Sequence, residues 1–316
     1  MPRFYLGIDG GQSSTKALLA DETGKVIGRG RGGPCNHVAS AEGRHRFLSA
    51  VGECLRQACH EGGLAAESLR FASVCLGLSG GAKDKEGYTK ELIASERYKF
   101  THDAEIALLG GTAGEPGIII IAGTGSIAFG RNAQRKSARA GGWGHIFGDE
   151  GGGFDVARNA LRRSLQYEEG WGPLTSLHAA LLEASGAPTA NVLMHEFYNN
   201  NVERKDFAAY AKLVDAAARA GDQVALEIIQ TAAISLMRYI SGVYNQLFPN
   251  HEVVPIVRVG DVFKSEILSQ QLKDIVQSEI ACPLRRPQLS PAAGALLEAM
   301  RLDENQHSLS GLGPED

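Results

Sequence analysis

The sequence has few cysteines and no sign of a cysteine framework. Its five cysteines, in 316 residues, are odd in number and scattered, and no CxxC spacing occurs. Cys54 and Cys59 fall in one predicted helix at a spacing that is poor geometry for sharing a metal ion. This usage indicates reduced thiols in a cytoplasmic protein and argues against a disulfide scaffold or a metal cage.

A charge excess of either sign and long apolar runs are also missing. The formal net charge is −4, so no basic surface is implied, and neither nucleic acid nor an anionic membrane is an expected partner. No apolar run reaches membrane-spanning length, and the chain enters a strand near its start without a signal peptide. With 43% hydrophobic and 22% charged residues, the composition is typical of a soluble globular protein, and we expect it in the cytoplasm.

Two common nucleotide-binding patterns are absent. No GxxxxGK(S/T) run occurs, which excludes a P-loop, and no GxGxxG run links a strand to a helix. Instead, a strand–tight turn–strand unit occurs twice, at Leu6–Ala20 and Ile118–Gly130. This repetition predicts two related α/β halves, with a boundary near Glu115–Gly117.

Helical periodicity fills much of the chain between these units. A helix is predicted between Ala41 and Gly62, a polar helix around Lys85–Arg97, and a single helix over Phe207–Ala220. Near Asp103, the pattern predicts a strand that ends just where the next helix begins.

The first hairpin, "GIDGGQSSTK", is rich in glycine and small hydroxyl residues. Such a turn lets backbone N–H groups point at an anion, and the candidate residues are Gly10, Gly11 and Ser13. Asp9, directly before the turn, would lie beside that anion, which requires a cation between them. Mg²⁺, held through water, suits one carboxylate plus phosphate oxygens.

The second hairpin, "IAGTGS", repeats this chemistry with Thr124 and Gly125. One such turn alone is weak evidence. Two matched turns in two halves predict that the phosphates of ATP are held in a cleft between the halves.

Several ordered motifs resemble one known superfamily. They are "NH" at 36–37, "HDA" at 102–104, "AGTGS" at 122–126, "GGWGHIFGDEG" at 141–151 and "VGDVFKSEIL" at 259–268. Together they resemble the actin-like ATPase and sugar kinase superfamily, and within it the N-acetylglucosamine kinase-like branch of the BadF/BadG/BcrA/BcrD ATPase family.

The resemblance implies an α/β fold of two actin-like, ribonuclease H-like lobes, each a mixed sheet flanked by helices, with a cleft between the lobes. We expect residues 1–116 with 290–303 in the N-terminal lobe and residues 117–289 in the C-terminal lobe. The polar, Gly/Pro-containing tail at 304–316 is expected to be disordered. Because the family is commonly dimeric, a homodimer is also expected.

In the kinases that it resembles, the glycine-rich segment "GGWGHIFGDEG" lines the sugar pocket. The resemblance assigns the backbone of Gly142 and Gly144 to the sugar ring and Asp149 to its hydroxyls, with Trp143 as an amphipathic surface. The alternative interpretation is that Trp143 is an ordinary core residue and that the glycines are joints of a loop. Asn36 corresponds to a sugar-contacting asparagine, although asparagine in a Gly/Pro loop is usually turn chemistry.

Asp103 is the predicted catalytic base. Phosphoryl transfer needs one group to accept the proton of the attacking hydroxyl, and a carboxylate at a strand end that opens a helix is suited to that role. The alternative is a simple helix cap. His102 and His145 have no partner at metal spacing and are interpreted as structural.

The segment "RVGDVFKSEIL" predicts the purine site, with Gly260 allowing close approach and Ser265 in contact with the base. Asp261 stands where these kinases usually have a small neutral residue. Gly152 and Gly153 replace bulkier residues near the acetyl group, which predicts a roomier pocket.

The sequence therefore predicts phosphorylation of an amino sugar by ATP with Mg²⁺, with N-acetylglucosamine giving its 6-phosphate. Glucosamine and N-acetylmuramic acid remain as variant substrates. The alternative is an ATP-driven activator of a radical dehydratase, whose iron–sulfur cluster needs cysteines from two subunits. Here only Cys35 falls in an open loop.

Overall fold

The computed structural model describes residues 2–11, 13–35, 41–79 and 85–316. They form two compact units, residues 1–116 with 287–316 and residues 117–286. The strands are β1 (Tyr5–Gly10), β2 (Thr15–Ala20), β3 (Val26–Gly32), β4 (Phe71–Leu78), β5 (Ser95–Thr101), β6 (Gly117–Ala122), β7 (Ser126–Arg131), β8 (Ser137–Gly141), β9 (Ile256–Val259) and β10 (Leu284–Arg285).

The helices are α1 (Ala41–Glu61), α2 (Glu86–Leu92), α3 (Asp103–Gly111), α4 (Gly153–Glu168), α5 (Leu177–Ser185), α6 (Ala190–Tyr198), α7 (Arg204–Ala208), α8 (Ala211–Arg219), α9 (Gln223–Leu247), α10 (Glu266–Ile280) and α11 (Pro291–Leu302). A 3-10 turn, Asp261–Lys264, precedes α10.

Both units contain a five-stranded mixed sheet of the same topology. The first has the order β3-β2-β1-β4-β5, and the second has β10-β9-β6-β7-β8. In each sheet three consecutive strands pair antiparallel, and two further strands continue the sheet in parallel from the first of them. The predicted α/β class, with two mixed sheets flanked by helices, is confirmed.

The first sheet is covered by helices on both faces, because its side chains alternate between them. Leu6 and Ile8 pack in the core cluster that includes residues of α1, whereas Tyr5 and Leu18 pack with α11. Helix α1 lies very close to β3, since a Cβ at Gly28 would come within 1.9 Å of the Ala58 carbonyl oxygen.

The second core is built around the long helix α9. Its buried residues include Ile229, Leu236 and Ile240, which pack with Ile118 and Ile120 of β6. By length and composition alone α9 could cross a membrane, but half of its most apolar window is buried inside the unit. This burial is typical of the core helix of a globular domain.

Two helix predictions are corrected by the structure. The polar stretch Lys85–Arg97 is only in part helical, because its last residues begin β5, an edge strand on which Glu96 and Arg97 are exposed. The stretch Phe207–Ala220 is divided between α7 and α8 rather than forming one helix.

The C-terminal segment 304–316 also differs from the disordered tail that its composition predicts. The backbone of Ser310 pairs with Lys25, and its carbonyl accepts a 2.9 Å hydrogen bond from the Val26 N–H. Leu309 and Leu312 pack against the core shared by the first sheet and α11. These apolar contacts explain why a polar, Gly/Pro-containing segment packs against the first unit.

Candidate functional site

In the first unit, the predicted phosphate turn follows β1 directly. The Gly11 N–H donates to the Ser14 carbonyl at 3.0 Å and closes the turn, while the N–H groups of Ser13 and Ser14 have no acceptor among the described residues. The exposed residues Ser13 and Ser14 therefore leave two N–H donors for an anion, whereas the Gly11 N–H is already used within the turn. Gly10 has a packing role, because a Cβ there would lie 2.6 Å from the Cys35 sulfur.

Asp9 and Asp103 lie close enough in this unit for their charges to interact. Burial and, to a smaller extent, the negative charge of Asp103 raise the pKa of Asp9 to about 6, although Lys16 opposes the rise. Lys16 is the residue opposite Asp9 on β2. A half-buried carboxylate next to a second one fits a divalent cation, because a bound cation would offset both effects.

The Asp103 carboxylate is oriented by two hydrogen bonds. Its Oδ2 accepts from the Ser79 Oγ at 2.7 Å, and its Oδ1 accepts from the Ala104 N–H at 2.8 Å. Helix α3 is capped by His102, whose carbonyl accepts the first intrahelical bonds, so Asp103 is the first helical residue and not the cap. Asp103 is exposed and available to a substrate hydroxyl.

Ser79 is a functional candidate that the sequence analysis missed. It follows β4, its N–H donates to the Gly10 carbonyl at 3.1 Å, and its own carbonyl accepts from Lys85 Nζ at 2.7 Å. Ser79 thus links the phosphate turn to Asp103. A usable signal exists in the sequence, because Ser79 directly follows the apolar run "FASVCLGL", and the carboxyl ends of neighbouring parallel strands share one edge of the sheet.

In the second unit, the turn after β6 is built for close backbone approach. The Gly123 N–H donates to the Gly125 carbonyl at 2.9 Å, and the N–H groups of Thr124 and Gly125 have no acceptor within the described part of the chain. The Phe154 N–H, in the first turn of α4, donates to the Thr124 carbonyl at 3.0 Å. This turn can therefore donate two hydrogen bonds to an anion.

A cavity of ≈ 540 Å³ opens beside this turn and is large enough for a nucleotide base and ribose. We call it the nucleotide cavity, after this candidate ligand. It brings together three of the predicted nucleotide residues, Thr124, Gly260 and Ser265. Gly260 has a φ of 119°, and a Cβ there would lie 2.1 Å from the Ala122 carbonyl oxygen. Ser265 caps α10, its Oγ accepting from the Leu268 N–H at 3.2 Å.

The wall of this cavity also carries charged residues that sequence reasoning missed: Lys205, Lys212 and Asp215. The buried Oδ1 of Asp215 has no hydrogen-bond partner within the described residues, while its other oxygen pairs with Arg219 at 2.9 Å. A buried acceptor without a donor fits a ligand that supplies one, such as a ribose hydroxyl or a base amine. No local motif marks Asp215, which lies within an ordinary amphipathic helix.

Asp261, whose role the sequence leaves uncertain, forms an ion pair with Lys264 at 2.7 Å. Both side chains are largely exposed, so the pair contributes little stability. Gly152 and Gly153, which are predicted to leave room near the acetyl group, both lie against the turn after β6. A Cβ at Gly152 would lie 2.8 Å from the Gly125 carbonyl carbon, and one at Gly153 would lie 3.1 Å from the Gly123 carbonyl oxygen. Both glycines allow α4 to pack tightly on the turn.

The predicted sugar segment of the second unit contains four glycines with positive φ, at 141, 142, 144 and 151. Trp143 is 62% exposed, with the Arg139 guanidinium 4.5 Å from the centre of its ring. Trp143 is therefore not core, and a cation–π contact holds it at the surface. Gly144 has open space around it.

The side chains of Asp149 and Glu150 point in different directions. Asp149 is 7% exposed and its carboxylate contacts Gly125, where a Cβ would lie 2.2 Å from Oδ2. The Glu150 carboxylate accepts a short hydrogen bond from the Tyr239 hydroxyl. Burial, together with this carboxylate, raises the pKa of Tyr239 to about 12. Asn36 lies outside the described residues.

The sequence matches the BadF/BadG/BcrA/BcrD ATPase family over residues 6–299. It is 32% identical over 270 residues to the N-acetylmuramic acid/N-acetylglucosamine kinase of Clostridium acetobutylicum, covering 83% of this chain and 86% of the relative. It is 30% identical over 312 residues to the N-acetyl-D-glucosamine kinase of Dictyostelium discoideum, covering 94% of this chain and 97% of the relative.

Among solved structures, a candidate N-acetylglucosamine kinase from Chromobacterium violaceum is similar, with a TM-score of 0.70 and 27% identity. The match covers 93% of this chain and 98% of the other. The match to the family profile spans nearly the whole sequence and agrees with the motifs on which the resemblance was based. The chain belongs to the BadF/BadG/BcrA/BcrD ATPase family.

Proposed function

We propose that the protein is a sugar kinase that transfers the γ-phosphoryl group of ATP to the 6-hydroxyl of an amino sugar, with N-acetylglucosamine as the principal substrate. The observation that carries the proposal is the exposed Asp103 carboxylate, held by Ser79 at 2.7 Å beside a turn with free N–H donors. Membership of an ATPase family and two amino sugar kinase relatives support the choice of substrates.

In this mechanism, Asp103 accepts the proton of the sugar 6-hydroxyl as the oxygen attacks the γ-phosphorus. The Ser79 hydroxyl keeps one carboxylate oxygen in place, so the other lone pairs face the substrate. Because phosphoryl transfer demands little covalent chemistry from the protein, positioning and charge stabilisation are the main contributions of the chain.

The free N–H groups of the two turns donate to phosphate oxygens. In the first unit the free N–H groups are those of Ser13 and its neighbour Ser14, while Gly10 and Gly11 let the phosphates approach the backbone closely. In the second unit the free N–H groups are those of Thr124 and Gly125. Gly260 and Ser265 border the base. Asp9 would hold Mg²⁺ through water, and the ion would neutralise charge on the phosphates.

The sugar is assigned to Asn36, Gly142, Trp143, Gly144 and Asp149 together with Asp103. Asp149 is the least accessible of these among the described residues, at 7% exposed. It therefore reaches the sugar only if the loop that carries it moves. Glucosamine and N-acetylmuramic acid are the variant substrates, and we place the protein in the cytoplasm as a homodimer.

The test is an ADP-release assay across glucose, glucosamine, N-acetylglucosamine and N-acetylmuramic acid. We expect release that depends on an amino sugar, with N-acetylglucosamine the best substrate by kcat/KM. Sugar-independent release with every compound would overturn the proposal and favour the dehydratase activator. Such an activator would also be coloured by its iron–sulfur cluster, whereas a kinase is colourless.

A further inference from the structure

A second cavity, of ≈ 470 Å³, lies on the second unit and shares no lining residue with the nucleotide cavity. Its lining is basic, and we call it the basic cavity; it comprises Arg258, Glu266, Ser269, Gln270, Lys273, Leu284 and Arg286. The kinase mechanism uses none of these residues. The cavity therefore needs an explanation of its own.

The sheet edge and one helix face bring these residues together. In the parallel pairing of β10 with β9, Leu284 lies opposite Ile256 and Arg285 opposite Val257. Continuing this register places Arg286 next to Arg258 on the same face. On α10, residues 266, 269, 270 and 273 recur at helical spacing and form the other wall.

The cations of this cavity are not neutralised by the protein. Within the described residues, Arg258, Lys273 and Arg286 form no ion pair, and Glu266 is the one acidic residue of the lining. Burial lowers the pKa of Arg258, and the positive charge of Arg286 lowers it further. Two like charges held together without a counterion are unfavourable, and a bound anion would relieve that repulsion.

Arg258 also supports a wall of the nucleotide cavity. Its Nη1 donates to the Phe263 carbonyl at 3.2 Å and to the Ser269 Oγ at 3.2 Å. Phe263 belongs to the 3-10 turn Asp261–Lys264, and other residues of that turn line the nucleotide cavity. The same guanidinium is thus fixed by the fold, which reduces the entropy cost of binding an anion.

We propose that the basic cavity binds a phosphate-bearing small molecule, with Arg258, Arg286 and Lys273 as its ligands. Guanidinium groups pair with phosphate through two parallel hydrogen bonds, and the lysine adds a third charge. This proposal does not depend on the kinase function.

The test is calorimetric titration of the full chain with inorganic phosphate at constant ionic strength set with KCl. We expect binding by the wild type, weakened about tenfold in Arg286→Ala because a charge-assisted pair is lost. Lys273→Ala should show a smaller loss. Arg285→Ala is the matched control, since Arg285 is an exposed neighbour that does not line the cavity.

Equal affinities in wild type and Arg286→Ala would overturn the proposal, as would an equal loss in Arg285→Ala or no binding by the wild type. Phosphate bound elsewhere on the chain is common to all variants and cancels in the comparison. A parallel titration with glucose 6-phosphate distinguishes a phosphate ester from free phosphate as the ligand of the cavity. Tighter binding of the ester assigns the site to a phosphate ester, and equal or weaker binding assigns it to the free ion.

Discussion

At the scale of single residues, Asp103 carries the most specific prediction. Because general-base catalysis contributes roughly 10²–10⁴-fold, Asp103→Asn should lower kcat at least about 10²-fold while the KM for the sugar changes little. Steady-state kinetics with N-acetylglucosamine measure both. The control is His102→Ala, the exposed neighbouring residue, which should leave kcat near the wild-type value. Near-normal turnover in Asp103→Asn would remove this carboxylate from the mechanism.

The ionised carboxylate of Asp9 is predicted to lower the stability of the fold at neutral pH, although the proposed Mg²⁺ site needs it. Its pKa is about 6 in the folded protein and 3.8 when unperturbed, so the fold prefers the protonated form. The contribution of protonated Asp9 to the free energy of unfolding is fully present below pH 3.8. It is lost as the pH rises through about 6, because the buried carboxyl then ionises. Asp9→Asn should therefore raise the free energy of unfolding at pH 7 by up to about 3 kcal/mol. Denaturant melts across this pH range measure it.

The advantage of Asp9→Asn should shrink as the pH falls through about 6. At neutral pH, Mg²⁺ should stabilise the wild type and not the variant, because the cation needs the ionised carboxylate. Kinase activity of the variant should fall. A variant that is less stable than wild type at pH 7, or equally stabilised by Mg²⁺, would contradict this role for Asp9.

At the scale of elements, the turn between β9 and α10 depends on one glycine. Gly260→Ala places a Cβ 2.1 Å from the Ala122 carbonyl oxygen at a φ of 119°. The turn must shift, so we expect the KM for ATP to rise about tenfold or more, since strain and clash together exceed 1.4 kcal/mol. Kinetics at saturating sugar measure the change.

Gly186→Ala is the matched control for that substitution. Gly186 also lies in the second unit with a positive φ of 70°, but a Cβ there would meet nothing within 4 Å. The alanine variant therefore has the unfavourable positive φ but no steric clash. The KM for ATP should remain near the wild-type value. If both variants raise KM equally, the close approach of Gly260 to Ala122 is not what shapes the cavity.

Elements were predicted well where local patterns are strong. The two glycine hairpins and the start of α3 at Asp103 follow from residues that lie within a few positions of one another. The predicted helix around Lys85–Arg97 overlaps the first residues of β5, because "SERYKFT" has no clear alternation, whereas the predicted strand end before Asp103 agrees with the end of β5 at Thr101. Its pairing with β4 overrides its weak intrinsic preference.

At the scale of the whole molecule, the C-terminal segment is predicted to stabilise the first unit. Removing residues 304–316 deletes the pairing of Ser310 with Lys25, the 2.8 Å ion pair of Asp316 with Arg29, and the packing of Leu309 and Leu312. We expect a loss of about 2–4 kcal/mol, seen as a lower Tm in calorimetry. The ADP affinity of the second unit should not change.

The control for this truncation is Glu315→Ala. Glu315 pairs with Arg31, and both side chains are about two-thirds exposed, at 66% and 67%. Exposed pairs contribute about 0–1 kcal/mol, so the Tm should stay close to the wild-type value. A truncated chain with an unchanged Tm would return the segment to the disordered tail that its composition predicts.

The sequence by itself determined the α/β class, the two glycine-rich hairpin turns and the family, because glycine spacing and strand ends depend on residues that are close in the chain. Only the tertiary structure decided that Ser79 orients Asp103, that Asp215 faces the nucleotide cavity with an unpartnered oxygen, and that Arg258 lies beside Arg286. These contacts join residues far apart in the chain. Sheet pairing and helix packing create them, and no short motif records which distant side chains will meet.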